Sequence, residues 1–161
     1  NDPNIFLDDN HKRMVQNYRN AFLRLTLYYL GKGQNDLAVN TLNTMDEKLP
    51  NKLIPMEFGL LYEISNLYLR AGARDKYDLF ISDVEKQAVA KLNSNPDDVQ
   101  SYYNPYRILF DIYETQGKND KLLELWQALG VKYPQDPNVR ANIEKYRNLV
   151  QGKPDTSKTT Q

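Results

Sequence analysis

The chain has 161 residues, a length that predicts one domain built around a single hydrophobic core. Its 21 lysines and arginines balance 21 aspartates and glutamates, so it lacks the positive field that attracts nucleic acid. It has no cysteine and one histidine, His11, which excludes thiolate nucleophiles, sulfur-ligated metals, histidine triads and multi-histidine metal sites. We therefore expect no metal, no cofactor and no catalytic residue; an enzyme that uses carboxylates alone is the alternative that the composition leaves open.

No segment approaches the roughly 18 to 20 consecutive apolar residues that a membrane span requires. The most apolar stretch, Ala21 to Leu30, contains Arg24, so we predict no membrane span in this chain. The sequence begins with Asn1 and has no signal-peptide profile, and we expect it to be a piece of a longer protein.

The first predicted helix begins after Asp8 or Asp9, either of which can cap its N-terminus. Its buried face is predicted from apolar residues at helical spacing: Met14, Tyr18, Phe22, Leu25 and Tyr29. A second apolar stripe has the spacing i, i+4, i+7: Leu23, Leu27 and Leu30. Because the helix is then apolar nearly all round, we expect the second stripe to be covered by another part of the chain or by a missing membrane portion. If it is left uncovered, it is an interface.

Three glycines, Gly33, Gly72 and Gly117, each follow a tyrosine by four residues and precede an aspartate by three. Such a glycine can take the left-handed conformation that ends a helix, and the aspartate is placed to cap the next helix or to complement the charge of its N-terminus. Apolar residues then follow each glycine at nine and twelve positions: Leu42 and Met45, Ile81 and Val84, Trp126 and Leu129. A proline comes 17 residues after the first and third glycines, at Pro50 and Pro134. The pattern predicts three copies of a helix–turn–helix pair.

Between the second and third copies, the stretch 93–98 predicts a break, with Asn95 able to cap a short helix that begins at Pro96. Asn104 and Pro105 form the same pair of a capping asparagine and a helix-starting proline, so 101–103 is predicted to be an inserted segment. A capping helix over about 137–151 is expected to carry one apolar face: Val139, Ile143, Tyr146 and Val150. The polar residues 153–161 are expected to be disordered.

These features predict an all-α fold of three degenerate helix pairs and a C-terminal capping helix, in one domain over 1–152. The pair resembles the tetratricopeptide repeat, a helix–turn–helix unit of about 34 residues. The copies extend over about 19–52, 58–92 and 103–135. Their glycines lie 39 and 45 residues apart, so the copies are not evenly spaced and regular superhelical curvature is not expected.

The resemblance implies a binding groove along the exposed face of each first helix. In this register the groove residues are Asn20, Leu23, Leu27 and Leu30, then Tyr62, Asn66 and Leu69, then Asn104, Arg107, Asp111 and Glu114. Asparagine amides can hydrogen-bond the backbone of a bound peptide, and Arg107 can hold a carboxylate; the alternative is a solvated polar face. The lysine-and-asparagine clamp of some tetratricopeptide domains is absent, because its first-copy positions are Leu23 and Leu27.

A second resemblance rests on the lead segment 4–10, on Arg13-Met14, Asn17, Arg19-Asn20, Phe22 and Arg24-Leu25, and on the junction 53–56. These residues are similar to the C-terminal soluble repeat domain of a bacterial polytopic membrane-protein family whose membrane part resembles protein O-mannosyltransferases. The resemblance implies an accessory domain on the periplasmic side of the inner membrane, with catalysis in the absent membrane part.

We therefore expect a non-catalytic module that docks a peptide or protein segment, or the membrane part of the same polypeptide. The alternative is a structural spacer or dimerisation unit with no ligand in its groove.

Overall fold

A computed structural model describes residues 8–97 and 101–152, which form seven α-helices and no strand. The helices are α1 (Asp9–Gly31), α2 (Asn35–Lys48), α3 (Phe58–Arg70), α4 (Arg74–Ser94), α5 (Pro105–Gln116), α6 (Asn119–Lys132) and α7 (Pro137–Val150). The all-α class predicted from the sequence is thereby confirmed. None of these helices is both long enough and apolar enough to cross a bilayer. The predicted tail, 153–161, lies outside the described residues.

The described residues divide into two compact units, and the division falls inside α4, between Gln87 and Ala88. The N-terminal unit holds α1, α2, α3 and most of α4, and the C-terminal unit holds α5, α6 and α7. The single domain predicted over 1–152 stays a prediction.

The first helix of each pair ends in the same turn around a left-handed glycine. Gly33, Gly72 and Gly117 have φ values of 69°, 82° and 67°. The backbone amide of the residue after each glycine donates to the carbonyl of the tyrosine that lies four residues before that glycine. The bonds are Gln34 to Tyr29 at 2.9 Å, Ala73 to Tyr68 at 2.9 Å, and Lys118 to Tyr113 at 2.8 Å. This Schellman bond satisfies a carbonyl that the helix end would otherwise leave unpaired. The glycine stops predicted from the sequence are confirmed.

The second helices of the first and third pairs also end alike. α2 and α6 both have 14 residues, and the residues that follow them, Leu49 and Tyr133, have φ, ψ values of −130°, 57° and −124°, 61°. Pro50 and Pro134 come next, and a proline drives the residue before it out of the α region. The middle copy has no such proline, and α4 runs for 21 residues to Ser94.

In the N-terminal unit, α1 packs against α2, and α3 contacts both. Its fully buried side chains include Leu42, Met45, Leu61, Ile64 and Tyr68. Tyr68 also stacks on Phe80 of α4, with ring centroids 5.4 Å apart. α3 is therefore held among three other helices, which explains why most of its residues are buried.

In the C-terminal unit, α6 packs against both α5 and α7. The large fully buried side chains of this unit are Ile108, Leu109, Ile112 and Leu122, and the rings of Phe110 and Trp126 lie 4.6 Å apart. In α7, Val139 and Tyr146 are buried, as its predicted apolar face requires, whereas Val150 at the helix end is exposed.

The inner face of α1 differs from the one predicted. Met14, Tyr18 and Leu25 are 52, 57 and 42% exposed, whereas the polar Arg19 and Thr26 are buried. The Thr26 hydroxyl donates to the Phe22 carbonyl at 2.9 Å, so its polar atom is satisfied within the helix. Arg19 Nη2 donates to two carbonyls beyond α2, as described below, whereas its buried Nε has no partner among the described residues. The prediction failed because it counted apolar residues only, whereas a polar side chain with its hydrogen bonds made can occupy a core position.

Two helices start at predicted caps, Asp8 and Asn104, whereas Asp36 and Asp120 lie in the first turns of α2 and α6 and do not cap them. Asp8 Oδ1 accepts from the amides of Asn10 and His11, both at 2.9 Å, and the hydrogen bonds from His11 hold the pKa of the Asp8 carboxyl below its usual range. Asn104 caps α5, whose first residue is Pro105. The described residues 96 and 97 form a turn rather than the start of a short helix, and 98–100 lie outside the described residues.

The glycine turns yield a prediction with a matched control two residues away. Gly33→Ala should lower the free energy of unfolding by about 1–2 kcal/mol, because an L side chain is strained at positive φ. Gly31→Ala should instead raise it by a few tenths to about 1 kcal/mol, since Gly31 is helical and an added Cβ meets nothing within 4 Å. Urea unfolding followed by circular dichroism measures both. Equal effects of the two substitutions would contradict the turn at Gly33.

Candidate functional site

The predicted groove residues of the first copy lie along one flank of α1, beside its packed face. Asn20, Leu23 and Leu30 are partly buried, and Leu27 is 48% exposed. Gln16 Nε2 donates to Asn20 Oδ1 at 3.1 Å, so the Asn20 carbonyl oxygen already has a partner on the same helix. This flank is mainly apolar.

In the second copy, the structure corrects one groove residue. Tyr62 is only 6% exposed and belongs to the core, because α3 is surrounded by other helices. Asn66 and Leu69 are partly exposed, which agrees with a surface position for both.

In the third copy, Asn104 is a helix cap and does not lie on the face of a helix. Its Oδ1 accepts from the Arg107 amide at 2.8 Å, and its Nδ2 donates to the Ser101 carbonyl at 3.0 Å. Arg107 Nη1 donates to the Tyr102 carbonyl at 2.7 Å, and its guanidinium lies 4.6 Å from the centre of the Tyr102 ring. Arg107, predicted to hold a carboxylate, therefore already binds the segment that precedes α5.

The other predicted residues of α5 differ in their partners. Asp111 is partly exposed, and the exposed Glu114 accepts a hydrogen bond from the Tyr146 hydroxyl at 3.3 Å. Burial and the Glu114 charge together raise the pKa of Tyr146. Glu114 thus joins α5 to α7. The structure places the predicted residues of the first two copies in the N-terminal unit and those of the third copy in the C-terminal unit.

Two cavities in the N-terminal unit were not predicted. One of about 330 Å³ is lined by Asp46, Pro50, Asn51, Lys52, Leu79, Phe80 and Asp83. Another of about 430 Å³ is lined by Asp36, Val39, Asn40, Ala71, Gly72 and Ala73. In the part of the chain that the structure describes, no three histidine or acidic side chains are grouped to hold a metal. Two carboxylates, Asp46 and Asp83, line the first cavity, and one, Asp36, lines the second.

An exposed side of α1 carries a row of residues that sequence reasoning assigned in part to the core. We call this row the outer stripe: Met14, Tyr18, Ala21, Leu25 and Tyr28. Successive members are four, three, four and three residues apart, the spacing of a helix seam that packs against another helix. The same spacing occurs on helix faces that pack against a core, so the sequence alone did not distinguish this stripe from a buried face.

Tyr68 gives a pH prediction. Its hydroxyl donates to Asn43 Oδ1 at 3.1 Å, and burial, with the nearby Asp46 charge, raises its pKa. The Tyr68 phenol ionises at about pH 10 in the unfolded chain and at a higher pH in the folded chain. Its contribution to the free energy of unfolding is therefore fully present below about pH 10 and is lost as the pH rises further. Through this group the free energy of unfolding falls by up to about 1.4 kcal/mol for each pH unit.

Tyr68→Phe should therefore make the free energy of unfolding less sensitive to pH between about 10 and 11. Urea unfolding at several alkaline pH values measures this slope. Tyr28→Phe, which alters an exposed phenol, is the control and should keep the wild-type slope. A wild-type slope in Tyr68→Phe would show that this phenol ionises as readily in the folded chain as in the unfolded one.

Comparisons with protein-family models, with curated proteins and with solved structures give no match to this chain.

Proposed function

We propose that this chain is a non-catalytic interaction module that docks a peptide or protein segment against the flank of α1. The observation that carries the proposal is that Leu27 is 48% exposed between partly buried Leu23 and Leu30. A row of leucines at the edge of a packed helix offers apolar area to an incoming chain. Asn66 on α3, a helix that contacts α1, adds an amide that can bind the backbone of the segment.

The architecture we propose for the module is a degenerate tetratricopeptide-like array of three helix pairs, with α7 as the capping helix. Three observations support it. The first helices α1, α3 and α5 all end in the same glycine turn. The ends of α2 and α6 have nearly the same backbone conformation, and α1 and α3, the first helices of successive pairs, contact each other.

We further propose that the module is the accessory domain of a larger bacterial membrane protein that resembles a glycosyltransferase, on the periplasmic side. The support is the similarity of the lead segment and of the junction 53–56. In that setting the docked segment belongs to the membrane part of the same polypeptide, and the module itself carries no catalytic residue and no cofactor. Its balanced charge disfavours nucleic acid as a partner.

A peptide selection with a matched pair of variants tests the docking proposal. Peptides enriched from a random library on the 161-residue chain should bind Leu27→Asp at least tenfold more weakly, because the substitution puts a charge into the apolar flank. Leu37→Asp should leave their affinity unchanged, since Leu37 is similarly exposed, at 43%, but lies on α2. Asn66→Ala should weaken binding of the same peptides without lowering the melting temperature of the chain. Failure to enrich any peptide, or equal losses in the two leucine variants, would contradict docking on this flank.

A further inference from the structure

The outer stripe of α1 is a second surface with the dimensions of a helix-binding seam. Its members extend from Met14 to Tyr28 and cover about 21 Å along the axis at the rise of an α-helix. All five are exposed, and the four large ones are a methionine, a leucine and two tyrosines. Tyrosine and methionine are enriched where proteins meet, and alternating spacings of three and four let side chains interlock with those of a second helix.

The charge around the outer stripe has one sign. Arg13 and Arg24 are exposed along one edge, and Lys32 extends the row at its C-terminal end, with Nζ 5.9 Å from the centre of the Tyr28 ring. From Asn10 to Asn35 the sequence contains no aspartate or glutamate. The other edge is formed by Phe22 and Tyr29, which are partly buried in the fold. A ligand of this surface therefore meets an apolar centre and one cationic edge.

We infer that the outer stripe binds an amphipathic helix of a partner, whose apolar residues recur every three and four positions and whose flanking residues are aspartate or glutamate. The apolar seam contributes the buried area, and Arg13 and Arg24 attract the acidic edge and repel a basic one. This surface is exposed and uses none of the leucines at 23, 27 and 30. The inference is therefore independent of docking on the flank.

Two other occupants fit these residues less well. A second copy of the chain would bring Arg13 and Arg24 to a contact that already carries the same charges, and like charges across an interface weaken association. Against a membrane surface, the outer stripe would present two tyrosines, an alanine, one methionine and one leucine, with cationic residues along one edge only. Helices that lie in the lipid interface instead bury a broad apolar face between cationic residues.

Two synthetic helical peptides test the inference on the 161-residue chain. Both carry the same leucine seam; one has glutamate at every flanking position and the other has lysine. Fluorescence anisotropy should show that the glutamate peptide binds at least tenfold more tightly, and that the difference shrinks when salt is raised, because screening shortens the range of the attraction. Arg13→Glu with Arg24→Glu should reverse the preference between the two peptides.

A variant of the seam completes the test. Leu25→Ser with Tyr28→Ser should weaken binding of the glutamate peptide at least tenfold, while Leu37→Ser on α2 should leave its affinity unchanged. All three residues are exposed, and circular dichroism checks that each variant stays folded. Equal binding of the two peptides, or no binding of either, would overturn the inference. So would a dimer in sedimentation that Leu25→Ser disrupts, or binding to phosphatidylserine vesicles without binding to the glutamate peptide.

Discussion

Replacing Arg19 with alanine should lower the free energy of unfolding by about 2–4 kcal/mol. The Arg19 side chain is buried in α1, and its Nη2 donates to the carbonyls of Leu49, at 3.0 Å, and Ile54. Those carbonyls lie in the connection between α2 and α3, so one guanidinium fixes this connection against α1. Burial lowers the pKa of Arg19, and the Asp46 charge partly offsets that effect.

Alanine would leave both carbonyls without their donor and remove the packed stem of the side chain. Arg24→Ala is the matched control on the same helix, because Arg24 is exposed, and it should change stability by less than about 0.5 kcal/mol. Arg19→Lys should recover only part of the loss, since a lysine is one atom shorter and lacks the planar fork. Urea unfolding measures all three variants. If Arg19→Ala were as stable as Arg24→Ala, Arg19 would not be the group that holds the connection.

Tyr68→Ala should lower the free energy of unfolding by about 3–5 kcal/mol, the usual range for removing a fully buried aromatic ring. The ring packs in α3, stacks on Phe80 of α4 and reaches Asn43 of α2 with its hydroxyl. Its loss would leave a cavity where three helices meet, and the surrounding backbone can collapse into that space only in part.

Thermal unfolding followed by circular dichroism measures this loss, and two further variants locate its cause. Tyr68→Phe keeps the ring and should cost only about 1 kcal/mol for the lost hydrogen bond. Tyr28→Ala removes an exposed tyrosine of the same size and should be nearly neutral. If Tyr68→Phe were as damaging as Tyr68→Ala, the hydroxyl rather than the packed ring would dominate.

The sequence is most informative about features decided within a few residues. Gly33, Gly72 and Gly117 end their helices because the turn involves only the glycine and the carbonyls just before it. The caps at Asp8 and Asn104 and the stop before Pro50 are local in the same sense. Each of these follows from backbone chemistry that does not depend on tertiary packing.

The orientation of α1 could not be obtained in this way. Arg19 is buried because carbonyls 30 and 35 residues further along the chain accept its hydrogen bonds, and no local pattern indicates that they are there. Hydrophobic spacing alone therefore assigned Met14, Tyr18 and Leu25 to the inside. The same limit applies to Tyr62, which is buried because several helices surround α3, and to the cavity between the α2–α3 connection and α4.

Helix pairs separated at three glycines are the central feature of this molecule, because the repeat copies and the groove residues were assigned in that register. Backbone NMR assignment with secondary chemical shifts and HN–Hα couplings tests it most directly. We expect seven helical stretches in 8–97 and 101–152, interrupted at residues 33, 72 and 117 by glycines of positive φ. Helical shifts that continue through any of these glycines, or extended shifts within α1 to α7, would contradict it.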